Sequence, residues 1–141
     1  MSAFLSPLRL EYIDGKKWEV TERFEYRLGS PEGTERVTVP VGFITDFASV
    51  PKVFHNILPP TGPYGKAAVI HDMLYQTRLV GWTMESYSYA RYVEREEADR
   101  IFKEAMEVLG VSSHTIRTMY WGVRLGGWAT WNRYRKAEER G

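Results

Sequence analysis

Two carboxylates and an imidazole lie in a segment that is otherwise apolar and rich in turns. Asp46, His71 and Asp72 fall between Thr45 and Tyr75, where the chain reads TDFASVPKVFHNILPPTGPYGKAAVIHDMLY. Burying a carboxylate without a cation or a full set of hydrogen-bond donors is costly in free energy. These residues are therefore either paired with their neighbours or held for a ligand, and they define the candidate site.

The first interpretation of this cluster is a metal-assisted hydrolase. A neutral imidazole with two or three carboxylates suits zinc, manganese or iron, which lower the pKa of bound water toward neutrality. The predicted ligands are Asp46, His71, Asp72 and Asp99. An adjacent His-Asp pair on a helix is also typical of HD-type phosphohydrolases, in which His55 would be the earlier ligand and Asp99 the later one. Those enzymes are all helical, whereas this chain begins with strand patterns, so the pair alone is a weak signal.

The same cluster supports a metal-free interpretation. His71 would then be the general base, and Asp46 or Asp72 would orient its ring. Tyr75 lies one turn beyond His71 and falls on the same side of the predicted helix, so we include it among the catalytic candidates. We predict no Ser-His-Asp site, because Ser49 is better explained as a helix cap.

A third interpretation is structural, in which the polar side chains fix the sheet against the helices. Asp46 directly precedes a short predicted helix, where an aspartate commonly caps free amides or makes an Asx turn. Asp72 would pair with an arginine such as Arg78 or Arg100, and His71 would bond to a backbone carbonyl. This interpretation assigns no ligand to the cluster.

Residues 1–46 predict an antiparallel sheet of three or four strands. Apolar and polar residues alternate from Lys17 to Leu28, which is typical of a strand with one buried face. A preceding strand from Leu8 to Ile13 would join it through Asp14-Gly15, a pair that favours a tight hairpin. A third alternating strand, Val37 to Val41, follows the turn predicted at residues 30–33, and a short extended segment leads to Asp46.

Residues 47–78 predict a capped short helix, a Pro/Gly loop and a central helix. Ser49 would cap the short helix, with Pro51 in its first turn, and the proline-rich segment 59–65 cannot be helical. Apolar residues occur on nearly every face from Lys66 to about Arg78, which predicts a helix packed on several sides. Residues 79–92 are polar and aromatic without a clear period, and we interpret them as a surface excursion.

Residues 93–138 predict two further helices. The first runs from about Val93 to Leu109 and ends at Gly110. The second begins after a cap at Ser112 or Ser113 and continues to about Glu138. Small residues line one face of this last helix, where they would let a neighbouring helix come close: Gly122, Gly126 and Ala129.

Length and composition indicate a single domain, residues 1–141, of the α+β class. We expect the N-terminal antiparallel sheet to pack against three or four C-terminal helices, with the polar cluster where they meet. The absence of cysteine excludes disulfides and thiolate chemistry. A formal net charge of +1 gives no general drive toward nucleic acid or a membrane. Since neither a signal-peptide pattern nor a membrane-spanning apolar run is evident, we expect a soluble protein.

Two motifs and their order resemble a known family. VPVGFITDFASVP is followed by a Pro/Gly-rich loop, then by AAVIHDMLY and EADRIFKEAMEVLGV. Over roughly Leu8 to Val111 the chain resembles domain-of-unknown-function family 1353, which is found mainly in phages and prophages. The resemblance implies a phage or prophage origin and a compact α+β domain, with no established activity. The family pattern falls on these residues: Thr45, Asp46, Ser49, Pro51, His71, Asp72, Tyr75 and Asp99.

The C-terminal helix lies outside that pattern and favours a second function, a non-catalytic virion component of tail or head or a host-directed binding protein. Arginine and tryptophan recur at helical spacing along one stripe: Arg117, Trp121, Arg124, Trp128 and Arg135. Such a stripe suits a protein contact surface, although tryptophans at the edge of a core, with arginines extended over them, give the same pattern. We expect a protein partner from phage or host, and a location in the host cytoplasm or the virion. The roles of His55 and His114 and the oligomeric state stay open.

Overall fold

The computed structural model describes residues 8–15, 17–29, 34–57, 64–84 and 87–140. Within these ranges most strands precede the helices, and one hairpin lies between two of the helices. The elements are β1 (Leu10–Asp14), β2 (Lys17–Val20), β3 (Phe24–Arg27), β4 (Glu35–Val39), β5 (Ile44–Thr45), α1 (Lys52–Ile57), α2 (Gly65–Thr77), β6 (Leu79–Met84), β7 (Tyr87–Tyr92), α3 (Arg95–Val108), α4 (Ser113–Gly126) and α5 (Trp128–Arg140).

The described strands form two antiparallel sheets. The first has the order β1-β2-β5 and the second the order β3-β4-β6-β7. Gly15 (φ 56°) closes the β1–β2 hairpin and Gly42 (φ 91°) makes the bend before β5, because glycine adopts these left-handed conformations without a steric penalty. The α+β class is confirmed, whereas the turn predicted at residues 30–33 lies outside the described residues.

The strand predicted from Lys17 to Leu28 is two strands in different sheets. β2 ends at Val20 and β3 begins at Phe24. Val20, Phe24 and Tyr26 are buried and all fall on even positions, although the three residues at the break, Thr21 to Arg23, are exposed. A period of two therefore cannot reveal that the chain leaves one sheet and enters the other.

The prediction that residues 79–92 form a surface excursion is wrong, because this segment is a hairpin of the second sheet. β6 and β7 pair from Leu79–Tyr92 to Met84–Tyr87, and β6 also pairs with β4. Val80 is buried in the core beneath the hairpin. Tyrosine and tryptophan favour strands, and that preference, rather than a polar and apolar period, is the signal present in the sequence.

Helices α2 and α3 pack against each other, and α2 also contacts β4, β5 and α5. Nine of the 13 residues of α2 are buried, which confirms a helix packed on several sides. Gly110 (φ 77°) follows α3 as predicted, and the hydroxyl of Ser112 caps α4 by accepting from the amide of Thr115 at 3.3 Å. None of the described helices is long and apolar enough to cross a membrane.

The C-terminal helix predicted as far as Glu138 divides at Gly127 into α4 and α5, although the backbone hydrogen bonds on either side of Gly127 keep the α-helical pattern. A β-carbon added to Gly127 would lie 2.4 Å from the hydroxyl of Tyr75 and 2.6 Å from the carbonyl oxygen of Val123. The chain can pass over Tyr75 because this position has no side chain. Glycine in the helical pattern therefore marks a close contact with α2.

Because Gly122 and Gly126 have no side chains, α1 and the turn before it pack closely against α4. A β-carbon on Gly122 would lie 2.3 Å from the ring of Phe54, and one on Gly126 would lie 3.1 Å from Pro51. The predicted close approach along this face of α4 is confirmed for these two glycines. Since Pro51 and Phe54 follow Ser49 closely in the chain, their packing on α4 helps to position the turn that carries Ser49.

Candidate functional site

The centre of the candidate site is the buried side of α2, which carries His71, Asp72 and Tyr75. All three side chains are 0% exposed. The imidazole of His71 packs against the rings of Tyr75 and Phe102, with centroid separations of 4.3 and 4.5 Å. The i, i+4 spacing brings Tyr75 over His71 on the helix surface, and the two ring contacts fix the orientation of the imidazole.

Both ring nitrogens of His71 are hydrogen-bonded. Nδ1 lies 3.0 Å from the hydroxyl oxygen of Ser49, and Nε2 lies 2.6 Å from Oδ1 of Asp99. Because an ionised carboxylate only accepts, Nε2 carries a proton, and in the neutral imidazole the Ser49 hydroxyl donates to Nδ1. The hydroxyl that was predicted to cap α1 is therefore bonded to His71, and Ser49, His71 and Asp99 form one hydrogen-bonded chain.

Asp99, in α3, is fully buried and surrounded by donors. Its Oδ1 also accepts from the hydroxyl of Tyr75 at 2.7 Å, and its Oδ2 accepts from Nη1 of Arg124 at 2.7 Å. Arg95 lies 3.5 Å from the same Oδ2. Burial alone would raise the pKa of Asp99, but the interactions with His71, Tyr75 and Arg124 outweigh it and hold the pKa below its ordinary value. Asp99 is thus an ionised carboxylate in the interior, compensated by two arginines.

Asp72 has a different set of partners. Its Oδ2 accepts from the hydroxyl of Thr45 at 2.7 Å and from the side-chain amide of Gln76 at 3.1 Å, and its Oδ1 faces the backbone amide of Ser49 at 3.4 Å. Burial raises the pKa of Asp72; the bonds from Thr45 and Ser49 oppose this shift, while the nearby charge of Asp46 adds to it. Asp72 therefore connects α2 to β5 and to the Ser49 turn without a cationic partner among the bonds described.

Asp46 forms a local turn instead of joining His71. Its Oδ1 accepts from the amide of Ala48 at 2.9 Å, which is the Asx turn of the structural interpretation. The side chain of Asp46 lines a small cavity of about 140 Å³ together with Lys17, Ile44, Gln76 and Tyr134. Burial, with smaller contributions from Asp72 and Asp46, raises the pKa of Tyr134 to about 12, so its phenol stays protonated at neutral pH.

The four side chains predicted as metal ligands are not brought together as one ligand set. In the parts of the chain that the structure describes, no three histidine, aspartate or glutamate side chains are arranged to hold a metal ion. His71 and Asp99 are bonded to each other, whereas Asp46 faces a separate turn. Both ring nitrogens of His71 are already engaged by protein side chains, Nδ1 by the Ser49 hydroxyl and Nε2 by Asp99, so neither is free to bind a metal.

Two pairings of the structural interpretation also differ from the arrangement observed. Asp72 bonds to neutral donors rather than to Arg78 or Arg100, and His71 bonds to side chains rather than to a backbone carbonyl. Sequence reasoning placed Thr45 in the family pattern without assigning it a role, and it did not identify Arg95 or Phe102. Thr45 precedes Asp46 within the first family motif, and Arg95 is at i, i+4 from Asp99, so both had a recognisable signal.

Two arginines of the predicted contact stripe belong to the interior instead. Arg124 binds Asp99, as described above, and its side chain is 24% exposed. Arg135 donates through Nη2 to the carbonyl oxygens of Tyr75 and Gln76 in the last turn of α2, the second at 3.0 Å. Its guanidinium lies 4.4 Å from the ring centre of Trp131. The stripe is therefore not a continuous contact surface, since these two guanidinium groups hold helices together.

The rest of the stripe is exposed. The side chains of Trp121 and Trp128 are 56% and 58% exposed, and Leu125 between them is 75% exposed. Their spacing of four and three residues places them on one side of the helical path, because α-helical backbone hydrogen bonds continue through Gly127. We call Trp121, Leu125 and Trp128 the apolar face. Arg117 is exposed one turn before Trp121.

Each tryptophan of the apolar face also lines a shallow groove. The groove at Trp121 has a volume of about 460 Å³ and is lined by Lys103, Glu107, Ser113, Ile116, Arg117, Tyr120 and Trp121. The groove at Trp128 has a volume of about 490 Å³ and is lined by Trp128, Ala129, Asn132, Arg133, Arg135, Lys136 and Glu139. Their linings together contain five basic and two acidic residues, so the surroundings of the apolar face are positively charged.

The two histidines outside the family pattern do not enter the site. His114 is exposed in the first turn of α4. The side chain of His55 lies outside the described residues, so its predicted place as an earlier metal ligand stays a prediction.

Comparison with known proteins gives a family without an assigned activity. No curated protein and no solved structure matches the chain. Residues 18–123 match the family described as "Protein of unknown function (DUF1353)". The matched segment includes the Ser49, His71, Asp72 and Asp99 network and ends within α4. The chain therefore belongs to the DUF1353 family of proteins of unknown function.

Proposed function

We propose that the chain is a non-catalytic component of a phage or prophage particle, which binds another protein through the apolar face. The observation that carries this proposal is a contrast in exposure. Trp121, Leu125 and Trp128 are each more than half exposed, whereas His71 and Asp99 are 0% exposed. A side chain must reach a ligand to act on it, and of these two groups the apolar face is the one turned outward.

The apolar face has the composition of an interface hot spot. Tryptophan and arginine are enriched among the residues that dominate binding energies, and clustered large apolar side chains on a surface indicate a contact site. Burying one such side chain against a partner contributes about 1.5–3 kcal/mol. Arg117 lies in the same groove as Trp121 and supplies a charged rim to the apolar centre.

The buried polar network supports this function by fixing the helix that carries the apolar face. Asp99 joins α3 to α2 through His71 and to α4 through Arg124. Asp72 joins α2 to β5 through Thr45. Removing one partner from such a network leaves another buried polar group without its bond. The network therefore acts as a structural element that sets the position of α4.

The double variant Trp121→Ala/Trp128→Ala tests the proposal, with Tyr89→Ala as the matched control. Tyr89 is 45% exposed and belongs to β7, far along the chain from α4. Each variant is supplied in trans to a phage that lacks the gene, and the amount of the protein in purified particles is measured. We expect the double variant to melt within a few degrees of wild type but to lose particle association by about tenfold or more, equivalent to about 1.4 kcal/mol. Association equal to that of the control would refute the proposal.

A hydrolase is the second candidate, and the chain of hydrogen bonds from Ser49 through His71 to Asp99 favours it. In Ser-His-Asp hydrolases the serine bonds to Nε2 and the aspartate to Nδ1. In this chain the two nitrogens are exchanged: Ser49 bonds to Nδ1 and Asp99 bonds to Nε2. In addition, Ser49 is 0% exposed. Catalysis would require α1 and its preceding turn to move and open a path to Ser49.

A covalent probe separates this candidate from the first. A fluorophosphonate reacts with a serine hydroxyl that an adjacent base activates. Labelling of wild type that disappears in Ser49→Ala and in His71→Ala, but not in Ser113→Ala, would establish a serine-type site. We expect no such labelling. A metal-assisted hydrolase would instead be supported by a stoichiometric metal in purified wild type that is lost in both Asp46→Ala and His71→Ala.

A further inference from the structure

We infer that the apolar face binds the outer surface of the N-terminal sheet of a second copy of this chain, so that copies assemble head to tail. This inference rests on the proposed function, since it names the partner of the same face. Its support is that the chain carries two exposed surfaces of opposite charge, each with apolar side chains at its centre.

The helical side of this contact is positively charged. Residues 113–141 contain six basic and two acidic residues, whereas residues 1–112 contain 13 basic and 16 acidic residues. Arg117 near Trp121, and Arg133 and Lys136 near Trp128, are exposed and line the grooves that contain the two tryptophans. A complementary partner surface would therefore be acidic around an apolar centre.

The sheet side carries two glutamates beside an exposed isoleucine, with one lysine, Lys17, on the same face next to Ile44. Glu11 in β1 is directly opposite Glu19 in β2, which in turn is opposite Ile44 in β5. Residues directly opposite one another point to the same face of a sheet. The next row contains Thr45, which is buried and bonds to Asp72. The row of Glu11, Glu19 and Ile44, here called the sheet row, therefore faces away from the core.

In a single copy of the chain, the sheet row places two like charges side by side and leaves an isoleucine exposed. Like charges directly opposite each other destabilise a sheet, yet Glu11 and Glu19 are paired in this way. Ile44 in the same row is 46% exposed, and Ile13 in β1 is 45% exposed. Arginines and lysines of a neighbouring copy would neutralise the glutamates, and the apolar face would cover the isoleucine.

The two surfaces belong to different parts of the chain, so the contact is between unlike faces. A contact of unlike faces leaves one free face at each end of a pair, and growth therefore continues into a ring or an open filament. The inferred partner is a further copy of the protein rather than an anionic membrane, which the same aromatic and basic surface would also attract.

Sedimentation velocity of the purified full chain tests the inference. Wild type is examined from about 1 to 100 µM at low ionic strength and again at about 0.5 M salt, where charge attraction is largely screened. We expect the mean mass to rise with concentration and to fall with salt. Trp121→Ala/Trp128→Ala and, separately, Glu19→Lys should each stay monomeric. Glu19→Lys should melt close to wild type, because the new attraction to Glu11 offsets the repulsion from Lys17 on the same face.

Mixing the two monomeric variants provides the sharpest result. The tryptophan variant keeps an intact sheet row and Glu19→Lys keeps an intact apolar face, so one productive contact remains between them. We expect a 1:1 dimer that does not grow further. Wild type that stays monomeric throughout, or a mixture that shows no dimer although wild type assembles, would overturn the inference.

Other outcomes separate the inference from the function on which it rests. If wild type is monomeric but Trp121→Ala/Trp128→Ala still abolishes particle association, the second copy is the wrong partner and the proposed function stands. If particle association survives in that variant, the proposed function itself fails. Binding of wild type to vesicles of anionic phospholipid, with no self-association, would assign the apolar face to a membrane and also overturn the inference.

Discussion

The hydroxyl of Tyr75 occupies the space that a side chain at Gly127 would need. A β-carbon on Gly127 would lie 2.4 Å from this oxygen, and the same oxygen donates to Asp99 at 2.7 Å. The interruption between α4 and α5 and the buried polar network therefore meet at one contact. The packing of the C-terminal helices and the geometry of the buried site are therefore coupled through this contact.

Gly127→Ala is predicted to destabilise the protein although alanine is the better helix former. The clash with Tyr75 cannot be relieved without shifting α5 or breaking the bond to Asp99, and overpacking of this kind costs about 1–3 kcal/mol. Gly126→Ala is the matched control, because its β-carbon would lie 3.1 Å from Pro51 and needs only a small adjustment. Urea unfolding checks the difference. A Gly127→Ala variant as stable as Gly126→Ala would contradict the contact.

The pair also predicts a coupling that a double-mutant cycle can measure. Tyr75→Phe removes the clashing oxygen together with its bond to Asp99, so adding Gly127→Ala to Tyr75→Phe should cost less than adding it to wild type. Residues in direct contact show coupling energies of about 0.5–3 kcal/mol. Relief should be partial, because the carbonyl oxygen of Val123 would remain 2.6 Å, and the ring carbon Cε2 of residue 75 3.3 Å, from the added group. Additive effects would show that the two residues act independently.

Two arginines of α4 that look alike in sequence are predicted to behave differently. Arg124 binds the fully buried Asp99 at 2.7 Å, whereas Arg117 is exposed in a surface groove. Removing one partner of a buried ion pair leaves an uncompensated charge and costs about 3–5 kcal/mol, although Arg95 at 3.5 Å should reduce this for Arg124→Ala. Arg117→Ala should leave the unfolding midpoint nearly unchanged and weaken partner binding. Equal stabilities for the two variants would contradict the assignment.

The two buried aspartates are predicted to have opposite effects on the pH dependence of stability. The pKa of Asp99 is lowered in the folded state, so its contribution is present above the ordinary carboxyl pKa and is lost as the pH falls through the folded pKa. The pKa of Asp72 is raised, so its contribution is complete below the ordinary pKa of 3.8 and is lost as the pH rises through the folded pKa.

Substitution by asparagine isolates each contribution. The stability of Asp72→Asn should rise relative to that of wild type as the pH increases above about 4, because the variant has no carboxyl group to ionise at position 72. Asp99→Asn should be the less stable protein at neutral pH and should approach wild type only under strongly acidic conditions. Urea midpoints across this pH range measure both differences. Differences from wild type that do not vary with pH would show that neither carboxyl titrates as described.

The sequence was informative about elements whose periodic pattern is long. The bounds of α2 and α3 agree with the predictions to within two residues, because their apolar positions and the glycine after α3 are local signals. Residues 79–92 carry no such local signal, because β6 pairs with β4, which lies more than 40 residues earlier in the chain. Long-range pairing overrides local pattern in this way whenever a segment lacks a clear period.

The sequence also predicts only part of the candidate site, for a similar reason. The motif positions identified His71, Asp72 and Asp99, but not which of them would meet. Their distribution depends on helix packing: α3 turns Asp99 toward Nε2 of His71, while Asp72 on the neighbouring position of α2 faces β5. The spacing of Arg124 matches that of the exposed tryptophans and therefore predicts a position on the surface. Only the position of α4 over α3 shows that it pairs with Asp99.

Metal removal should leave the protein unchanged. A ligand that binds the folded state raises its stability in proportion to RT ln(1 + [L]/Kd), so a resident metal would make the melting temperature sensitive to chelators. Since both nitrogens of His71 are hydrogen-bonded to protein side chains, we expect equal melting temperatures with EDTA and with added zinc or manganese. A chelator-dependent decrease in wild type that is absent from His71→Ala would instead support the metal-ligand prediction.

Arg135 is predicted to hold the C-terminal end of α2. The last carbonyls of a helix lack partners within the helix, and here those of Tyr75 and Gln76 accept from the guanidinium of Arg135. Arg135→Ala removes these bonds and the contact with Trp131, and should cost about 1–3 kcal/mol. Lys136→Ala, one position further and exposed, is the control. Hydrogen exchange should accelerate in the last turn of α2 in Arg135→Ala alone, and unchanged protection there would show that this end of α2 is held by other contacts.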